Sequence, residues 1–320
     1  MEAFECKICH NASANLPFKV KEMMFGLRHE FLYVQCAKCG CLQLQQIPNN
    51  ISDYYPKEAY YSFATSSLSS FQKSIKDYLL GKLFNYYIGN FSIIGYFTSK
   101  SYYLHKRYAW IRCLAGIDKS ARILDIGSGA GKYLDELYTC GFKNIKGMDP
   151  YIEKDIVTHH GIQITQQNIY DIKGNYDLIM LNHVFEHLEH PMEILSQLKK
   201  LLNKSGKILI RIPLVDSYAW EKYGVHWYQI DAPRHFYLHT KKSMELLTNK
   251  TGFKIHKIIY DANDYQFIFS EQYLQNKNIK APMLFNKKQI KHWRKQASQL
   301  NNIEQGDQAC FILIPNQHHE

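Results

Sequence analysis

The sequence predicts an open, mostly parallel α/β sheet with helices on both faces, preceded by a small cysteine-knuckle unit and a helical linker. Three observations carry that expectation. From Ala121 onward, short apolar segments alternate with amphipathic helical ones, the pattern of strands joined by crossover helices. A glycine turn, Gly127-Ser128-Gly129-Ala130-Gly131, separates the first strand of that series from its first helix. Two CxxC pairs, Cys6–Cys9 and Cys36–Cys39, lie ahead of it.

The cysteine pairs are separated by 26 residues. Each pair forms a knuckle whose two thiolates face one point, and four thiolates around one point match the tetrahedral preference of Zn²⁺. Phe18/Val20 and Phe31/Tyr33 alternate with polar residues, as strands between two knuckles do. This segment reads as a zinc ribbon. Four thiolates leave no open coordination position, so the metal expected there is structural. Cys41 is a bystander, and Cys113, Cys140 and Cys310 stand alone in apolar contexts that suit core packing.

After the ribbon comes a tyrosine-rich linker, Asp53 to Tyr61. Ser66 to Tyr87 reads as a helix, with Leu68, Phe71, Ile75, Tyr78, Leu79, Leu83 and Tyr86 recurring on one face. Lysines among its polar positions suit a helix that packs on its own domain, covers a pocket or lies on a membrane. A second helix is expected from about Lys100 to Gly116. The domain boundaries read as 1–60 for the ribbon, 61–118 for the helical linker or lid, and 119–320 for the α/β domain.

In that domain, strands are expected at Arg122–Ile126, Ile145–Met148, Ile162–Thr165, Tyr176–Asn182, Lys207–Ile212, Phe253–Tyr260 and Ala309–Ile314. Helices are expected at Lys132–Cys140, Pro191–Asn203 and Thr240–Thr251, the second with Pro191 in its first turn.

The chain of 320 residues is 46% hydrophobic and 21% charged, which excludes a largely disordered polymer. Its 39 Lys and Arg against 29 Asp and Glu give a net charge of +10. That favours anionic partners: nucleotides, phosphates, nucleic acid or an acidic membrane surface. The first ten residues hold no apolar leader, and clustered cysteines suit a reducing compartment, so a cytoplasmic location is expected. Leu83 to Ser99 has no charged residue but is 17 residues long and interrupted by Asn85, Gly89, Asn90 and Gly95. That is short of the roughly 20 apolar residues of a membrane span. Peripheral membrane contact stays open.

The glycine turn identifies a ligand class once its neighbours are included. In the dinucleotide fingerprint a third glycine falls where this chain has Lys132. Asp125 precedes the turn, and Asp149 ends the following strand 24 residues later. A carboxylate at that second position accepts hydrogen bonds from both ribose hydroxyls of an adenosine. An acidic residue before the turn would repel a pyrophosphate and suits a cationic ligand with an amino-acid portion.

The stretches Leu124-Asp125-Ile126-Gly127-Ser128-Gly129-Ala130-Gly131, Gly147-Met148-Asp149-Pro150, Tyr176-Asp177-Leu178-Ile179 and Asn182-His183-Val184-Phe185-Glu186-His187-Leu188 resemble the class I S-adenosylmethionine-dependent methyltransferases. The resemblance covers about Ala121 to Tyr260. It extends to a bacterial subgroup with a zinc-ribbon leader, a Tyr-Tyr linker and a segment like Asp231-Ala232-Pro233-Arg234-His235-Phe236-Tyr237. It implies a Rossmann-like, seven-stranded, mostly parallel sheet. It also implies S-adenosylmethionine as cofactor, beside the structural Zn²⁺. The cofactor would lie against Asp125, Gly127, Ser128, Gly129 and Gly131. Asp149 and Pro150 would hold the ribose end, Asn168 and Ile169 the adenine, and Asn182 and His183 would face the methyl donor. Asn168 is also a residue type that favours turns without any ligand.

Methyl transfer needs an aligned nucleophile and often a base. Candidates after the fourth and fifth strands are His183, Glu186, His187 and His235, with His235 preferred because imidazole titrates near neutral pH. Trp227, Tyr228, Arg234 and His235 are candidate acceptor contacts, Arg234 through its guanidinium fork. His183, Glu186 and His187 would share a face on a helix. With glutamate in place of that first histidine, the pattern resembles a metal site of some quinone O-methyltransferases. Metal-free relatives carry the Glu-His pair as well.

The resemblance implies a small-molecule acceptor, a sugar or sugar nucleotide of surface-polysaccharide or secondary metabolism, with oxygen favoured over carbon. One alternative is a nucleic-acid methyltransferase using the ribbon as a binding module. Against it, the fourth strand ends Asn182-His183-Val184-Phe185, without the Asn/Asp-Pro-Pro-aromatic signature, and no basic run is concentrated. The other alternative is a non-catalytic module that binds cofactor and zinc.

Overall fold

A computed structural model describes residues 4–55 and 70–316. Residues 56–61 of the tyrosine linker, the first four residues of the helix expected from Ser66, and the Leu68 and Phe71 side chains lie outside the described residues.

The N-terminal unit is an antiparallel meander of β1 (Leu16–Lys21), β2 (Glu30–Gln35) and β3 (Leu42–Leu44). Next come α1 (Ser70–Tyr87), α2 (Ile93–Ser99) and α3 (Tyr102–Tyr108), the last continued by a 3-10 turn over Ala109–Leu114. The alternating region follows: β4 (Ile123–Ile126), α4 (Lys132–Thr139), β5 (Ile145–Met148), β6 (Ile156–Val157), β7 (Gln163–Thr165), β8 (Tyr176–Asn182), α5 (Pro191–Lys200) and β9 (Leu202–Pro213). The chain closes with α6 (Tyr218–Tyr223), β10 (Tyr237–Leu238), α7 (Lys241–Lys250), β11 (Phe253–Tyr260), α8 (Tyr265–Leu274), α9 (Lys287–Asn302) and β12 (Gln308–Pro315).

The large sheet runs β11-β12-β9-β8-β4-β5-β7-β6. Its centre is parallel, and β12 lies antiparallel between β11 and β9. The expected seven strands are present. The eighth, β6, is a two-residue strand antiparallel to β7 at the sheet edge, too short to leave an alternation pattern in the sequence.

Successive residues of the central strands feed opposite faces, as a pleated strand requires. Leu124, Ile126, Ile179, Leu181, Ile208 and Ile210 join one core with Ile194, Leu195 and Leu198 of α5 and Met244 and Leu247 of α7. Ile123, Leu178, Met180 and Leu209 join the other with Leu80, Leu83 and Phe84 of α1 and Leu134 and Leu137 of α4. The helices expected as a linker or lid therefore include a layer of the sheet domain. Of the expected face of α1, Leu83 is buried but Ile75, Tyr78, Leu79 and Tyr86 are exposed; Leu80, Phe84 and Tyr87 are buried beside Leu83 instead.

The ribbon is fused into the same body. Its sheet is completed by β10, which pairs Tyr237 with Gln43 and Leu238 with Leu42. The Sγ atoms of Cys6 and Cys39 lie 3.6 Å apart and those of Cys9 and Cys36 3.4 Å apart. A disulfide is about 2.0 Å long, whereas tetrahedral ligation at about 2.3 Å sets sulfur atoms roughly 3.8 Å apart. All four thiols lie within 4.8 Å of one another, so the donor set fits one Zn²⁺, and the protein holds that ion structurally. Gln43 Nε2 donates to Cys6 Sγ at 2.9 Å, which holds that sulfur in place. Cys6, Ile8, Cys36, Cys39 and Cys41 belong to the same core as the sheet residues and α7. Thr240, the N-cap of α7, donates to the Cys39 carbonyl at 2.6 Å.

Because knuckles and sheet share a core, replacing Cys36 and Cys39 with serine is expected to remove one zinc per chain, read by metal analysis. The same variant should lower the melting temperature of the whole chain in a single transition, read by circular dichroism. A two-step melt with the main transition unmoved would show an independent ribbon instead.

Candidate active site

The carboxyl ends of β4, β5 and β8 meet along one edge of the sheet. β4 pairs Asp125 with Gly147 of β5 on one side and with Met180 of β8 on the other. The turn after β4 is tied to the end of β5, since the Gly127 and Ser128 amides both donate to the Met148 carbonyl, at 2.8 and 3.1 Å. Gly129 N donates to Asp149 Oδ2 at 2.9 Å, and Tyr151 N to Asp149 Oδ1 at 2.8 Å. Gly127, Gly129 and Gly131 have φ of 67°, 53° and 78°, a region that side chains with a Cβ rarely adopt. At Gly127 space is also decisive: a Cβ there would lie 2.5 Å from Val184 Cγ2, on the loop after β8.

Behind the turn, Asp125 is 1% exposed and neither carboxylate oxygen has a hydrogen-bond partner. Burial pushes its carboxyl up to about 8; Asn182 opposes that shift and Asp149 adds to it. The Asn182 amide at the end of β8 is buried against that carboxyl, short of hydrogen-bond geometry, and has no other partner. Buried polar groups in native proteins are nearly always satisfied. A glycine cradle lined by orphaned polar atoms fits a ligand that brings its own charge and hydrogen bonds, and S-adenosylmethionine does both. Of the residues expected around adenine, Ile169 is buried. Asn168 is exposed, and its side chain caps the turn Ile169–Asp171 by accepting from Tyr170 N at 3.1 Å. Ser128 lies on the turn and Pro150 is exposed beside Asp149.

A second group of side chains sits beyond the end of β8. His183 has φ 54°, left-handed although it carries a side chain, and its amide donates to the Arg211 carbonyl of β9 at 2.9 Å. The reversal turns the chain into a 3-10 turn, Phe185–His187. The shared helical face expected for His183, Glu186 and His187 is therefore replaced by a turn. It is His235, brought from far along the chain, that completes the cluster: one ligand-capable atom from each of Glu186, His187 and His235 lies within 4.8 Å of the others. That spacing also suits a divalent cation.

Glu186 is fully buried, and no hydrogen-bond partner reaches either carboxylate oxygen. His183 Nδ1 stands 3.4 Å from Oε1, and His235 Nε2 3.9 Å from it. Burial raises the Glu186 carboxyl, but the His183 contact and the nearby charge of His187 and His235 outweigh that and hold it at about 2. His235 Nδ1 lies 2.7 Å from the Gln229 carbonyl and His187 Nδ1 2.8 Å from the Arg234 carbonyl. A carbonyl only accepts, so Nδ1 carries a proton in both rings. Burial pushes the His187 imidazole down, and His235 beside it acts in the same direction. Asp231 Oδ2 lies 3.8 Å from His235 Nε2 on the other side.

Two of the expected acceptor contacts are placed otherwise. Arg234 is 1% exposed. Its guanidinium meets Asp231, Glu22 Oε1 and the Tyr54 carbonyl, the last two at 3.1 and 2.9 Å. The fork is thus engaged within the protein, which corrects the expectation that it grips an acceptor. Trp227 is also 1% exposed, and its indole donates to Asp307 Oδ2 at 3.0 Å. Tyr228 is half-buried against Phe269. Sequence reasoning missed Asp231 and the Arg211–Asp261 pair. Arg211 Nε contacts Asp261 Oδ2 at 2.6 Å, and its Nη1 lies 3.0 Å from His183 Nε2. The available signal was Asp231, four residues ahead of His235; Asp261 has no local pattern.

Residues 103–258 match a family model described as a methyltransferase domain. A comparison with curated proteins finds no match. Among solved structures, the chain is similar to a SAM-dependent methyltransferase from Archaeoglobus fulgidus, at 19% identity over 70% of this chain and 100% of that one, with TM-score 0.43. It is similar to an S-adenosylmethionine-dependent methyltransferase from Mesorhizobium loti, at 12% identity over 65% and 97%, with TM-score 0.42. A third similarity is to the complex of the Haloferax volcanii Trm112 methyltransferase activator and a methyltransferase, at 14% identity over 70% and 93%, with TM-score 0.45.

Gly127→Ala tests the cradle. Its Cβ meets both Val184 and an unfavourable φ, so affinity for S-adenosylhomocysteine should fall at least about tenfold by calorimetry. Adding Val184→Ala should restore part of that loss, since it relieves the contact but not the backbone. Wild-type affinity in Gly127→Ala would remove the turn from the binding site.

Proposed function

We propose that this chain, a class I S-adenosylmethionine-dependent methyltransferase, methylates a hydroxyl oxygen of a small acceptor, a sugar or sugar nucleotide, with His235 as the base. One observation carries the proposal. A glycine cradle backed by the buried Asp125 follows β4, and Glu186, on the turn after the neighbouring β8, faces the His235 imidazole, which Asp231 flanks on its other side.

When bound, the cofactor supplies a methyl group made electrophilic by its sulfonium sulfur. Asp125 and the Gly127–Gly131 turn would hold its amino-acid portion. Asp149 would take the ribose hydroxyls, and Ile169 would pack beside adenine. A hydroxyl is a weak nucleophile at neutral pH, so an oxygen acceptor calls for a base where an amine or thiol does so less. His235 Nε2 takes the acceptor proton, leaving the oxygen free to receive the methyl group. The imidazolium so formed lies 3.9 Å from Glu186 Oε1 and 3.8 Å from Asp231 Oδ2, and the two carboxylates stabilise it by Coulomb attraction in a dry setting. Gln229 and His187 keep the ring oriented.

The nucleic-acid reading loses its main support in the ribbon. β3 is paired with β10, and the knuckles are packed into the common core, so the ribbon does not stand free as a binding module. The positive charge remains compatible with the phosphates of a sugar nucleotide.

Two variants test the assignment. His235→Gln should lower kcat by about 10²- to 10⁴-fold and leave S-adenosylhomocysteine affinity unchanged. The rate is read as labelled methyl transferred to hydroxylated fractions of a cell extract, with the product identified as a methyl ether. An unchanged kcat sinks the base assignment, and labelled RNA as the main product sinks the acceptor class.

Asp125 is tested by pH. In the free folded chain its carboxyl keeps a proton up to about 8, against an ordinary value of 3.8. The stability this contributes is therefore full below the ordinary value and is lost as pH rises through about 8. A cationic ligand favours the ionised form. Binding at pH 7 should therefore release a proton, seen as buffer-dependent heat in calorimetry, and affinity should strengthen as pH rises toward 8. Asp125→Asn should abolish the buffer dependence. Equal heats in all buffers for the wild type would show that the carboxyl does not change state.

A further inference from the structure

The outward face of α1 and the turn into α2 bring several exposed apolar side chains together. Phe91, at the turn, is 92% exposed; Ile93, Ile94 and Phe97 are 61%, 40% and 68% exposed. The patch is one surface. α2 lies directly on α1 at Gly95, where a Cβ would fall 2.2 Å from the Lys82 carbonyl and 2.6 Å from Tyr86 Cβ. That close approach turns the larger side chains of α2 outward. Tyr86 and Tyr96 touch edge to face with centroids 5.9 Å apart, linking the tip to the exposed Tyr78 and Leu79 along α1.

The charge pattern is one-sided. From Tyr78 through Ile117 the sequence holds no Asp or Glu, but has Lys82, Lys100, Lys106, Arg107 and Arg112. Lys106 and Arg107 turn inward to Asp264 and Glu136. Lys82 and Lys100 remain at the patch, with ammonium groups 5.2 and 4.6 Å from the ring centres of Tyr78 and Tyr96. Phenylalanine and isoleucine at a projecting turn, ringed by tyrosine and lysine, reproduce the composition of an interfacial anchor. No helix among the described residues is long and apolar enough to cross a membrane.

We propose that the α1–α2 turn is a docking face for the surface of an anionic phospholipid bilayer. Phe91, Ile93, Ile94 and Phe97 enter the acyl boundary, and Lys82 and Lys100 meet the headgroups. A second copy of the chain is the poorer occupant, because the stretch from Tyr78 to Lys100 offers lysines and no carboxylate, so two copies would set lysine against lysine. The four apolar side chains supply the insertion, and the cations supply the preference for anionic over neutral lipid.

The test uses the full chain with vesicles of phosphatidylcholine alone and of phosphatidylcholine mixed with phosphatidylglycerol. Wild type should float with the anionic vesicles, weakly or not at all with the neutral ones, and less at high salt. The double variant Phe91→Ser/Phe97→Ser should bind anionic vesicles roughly a hundredfold more weakly. Its S-adenosylhomocysteine affinity and melting temperature should stay as in wild type, since both rings are exposed. Lys82→Glu/Lys100→Glu should lose the preference for anionic lipid. Absence of wild-type binding at low salt, or a phenylalanine variant that binds as well as wild type, overturns the proposal. So does a wild-type dimer in sedimentation that dissolves in the phenylalanine variant, which would assign the face to a second copy. The methyl-transfer reading is unaffected by any of these outcomes, because cofactor affinity is measured in the same variants.

Discussion

A cation removed from water has to be paired, and the pairing of Arg234 organises the middle of this protein. Burying an ion costs several kcal/mol unless its partners are well placed. The Arg234 fork is filled on all sides: Asp231 from its own segment, Glu22 from the ribbon and the Tyr54 carbonyl from the start of the linker. Glu22 is itself fixed by the amides of Phe25 and Leu27, each at 2.8 Å. One side chain thus ties three stretches of chain that lie far apart in sequence. The residue after it is His235, whose carbonyl accepts from Tyr33 of β2 at 2.8 Å. The ribbon supports the segment that bears His235, and its zinc knuckles pack under β10 and α7 rather than projecting into solvent.

The cofactor edge follows the opposite rule. Asp125 and Asn182 are buried against one another without well-formed hydrogen bonds, a state that costs about 1–3 kcal/mol per group and that a ligand supplying polar atoms would relieve. Glu186, a few residues beyond Asn182, is buried as deeply but is surrounded by imidazoles. One carboxyl is pushed up to about 8 and the other held at about 2. Their environments separate their duties. The Asp125 carboxyl keeps its proton at neutral pH, whereas Glu186 keeps a negative charge beside the rings of His187 and His235.

The strands and the cradle were legible in the sequence because they obey local rules. Short apolar runs marked β4, β5 and β8, the glycine turn marked the end of β4, and the carboxylates at 125 and 149 lay in or just after those runs. The cysteine spacing announced the ribbon for the same reason. What was not legible depends on distant pairing. β10 is two residues long and exists as a strand because β3 offers it an edge. Arg234 looked like an acceptor clamp because nothing near it in sequence reveals Glu22, 212 positions away. The periodicity of α1 identified a helix but gave the wrong inward face. Two apolar faces compete on α1, and only the tertiary position of α4 and the sheet selects Leu80, Leu83 and Phe84 for burial.

The two turns that meet at the active edge show why residue types differ at equivalent backbone geometry. Gly127 and His183 both have positive φ, 67° and 54°. At 127 the backbone faces Val184 so closely that any Cβ would collide, and glycine answers both the conformation and the space. At 183 a glycine would serve the backbone better, since a left-handed non-glycine residue costs roughly 1–3 kcal/mol. The chain keeps histidine there because its ring joins Glu186 on one side and Arg211 on the other. Removing the side chain would relax the turn but sever the contact between the buried carboxylate and the Arg211–Asp261 pair. The strain at His183 is therefore the local cost of joining Glu186 to the Arg211–Asp261 pair, and Val184 beside it sets how closely the two turns approach.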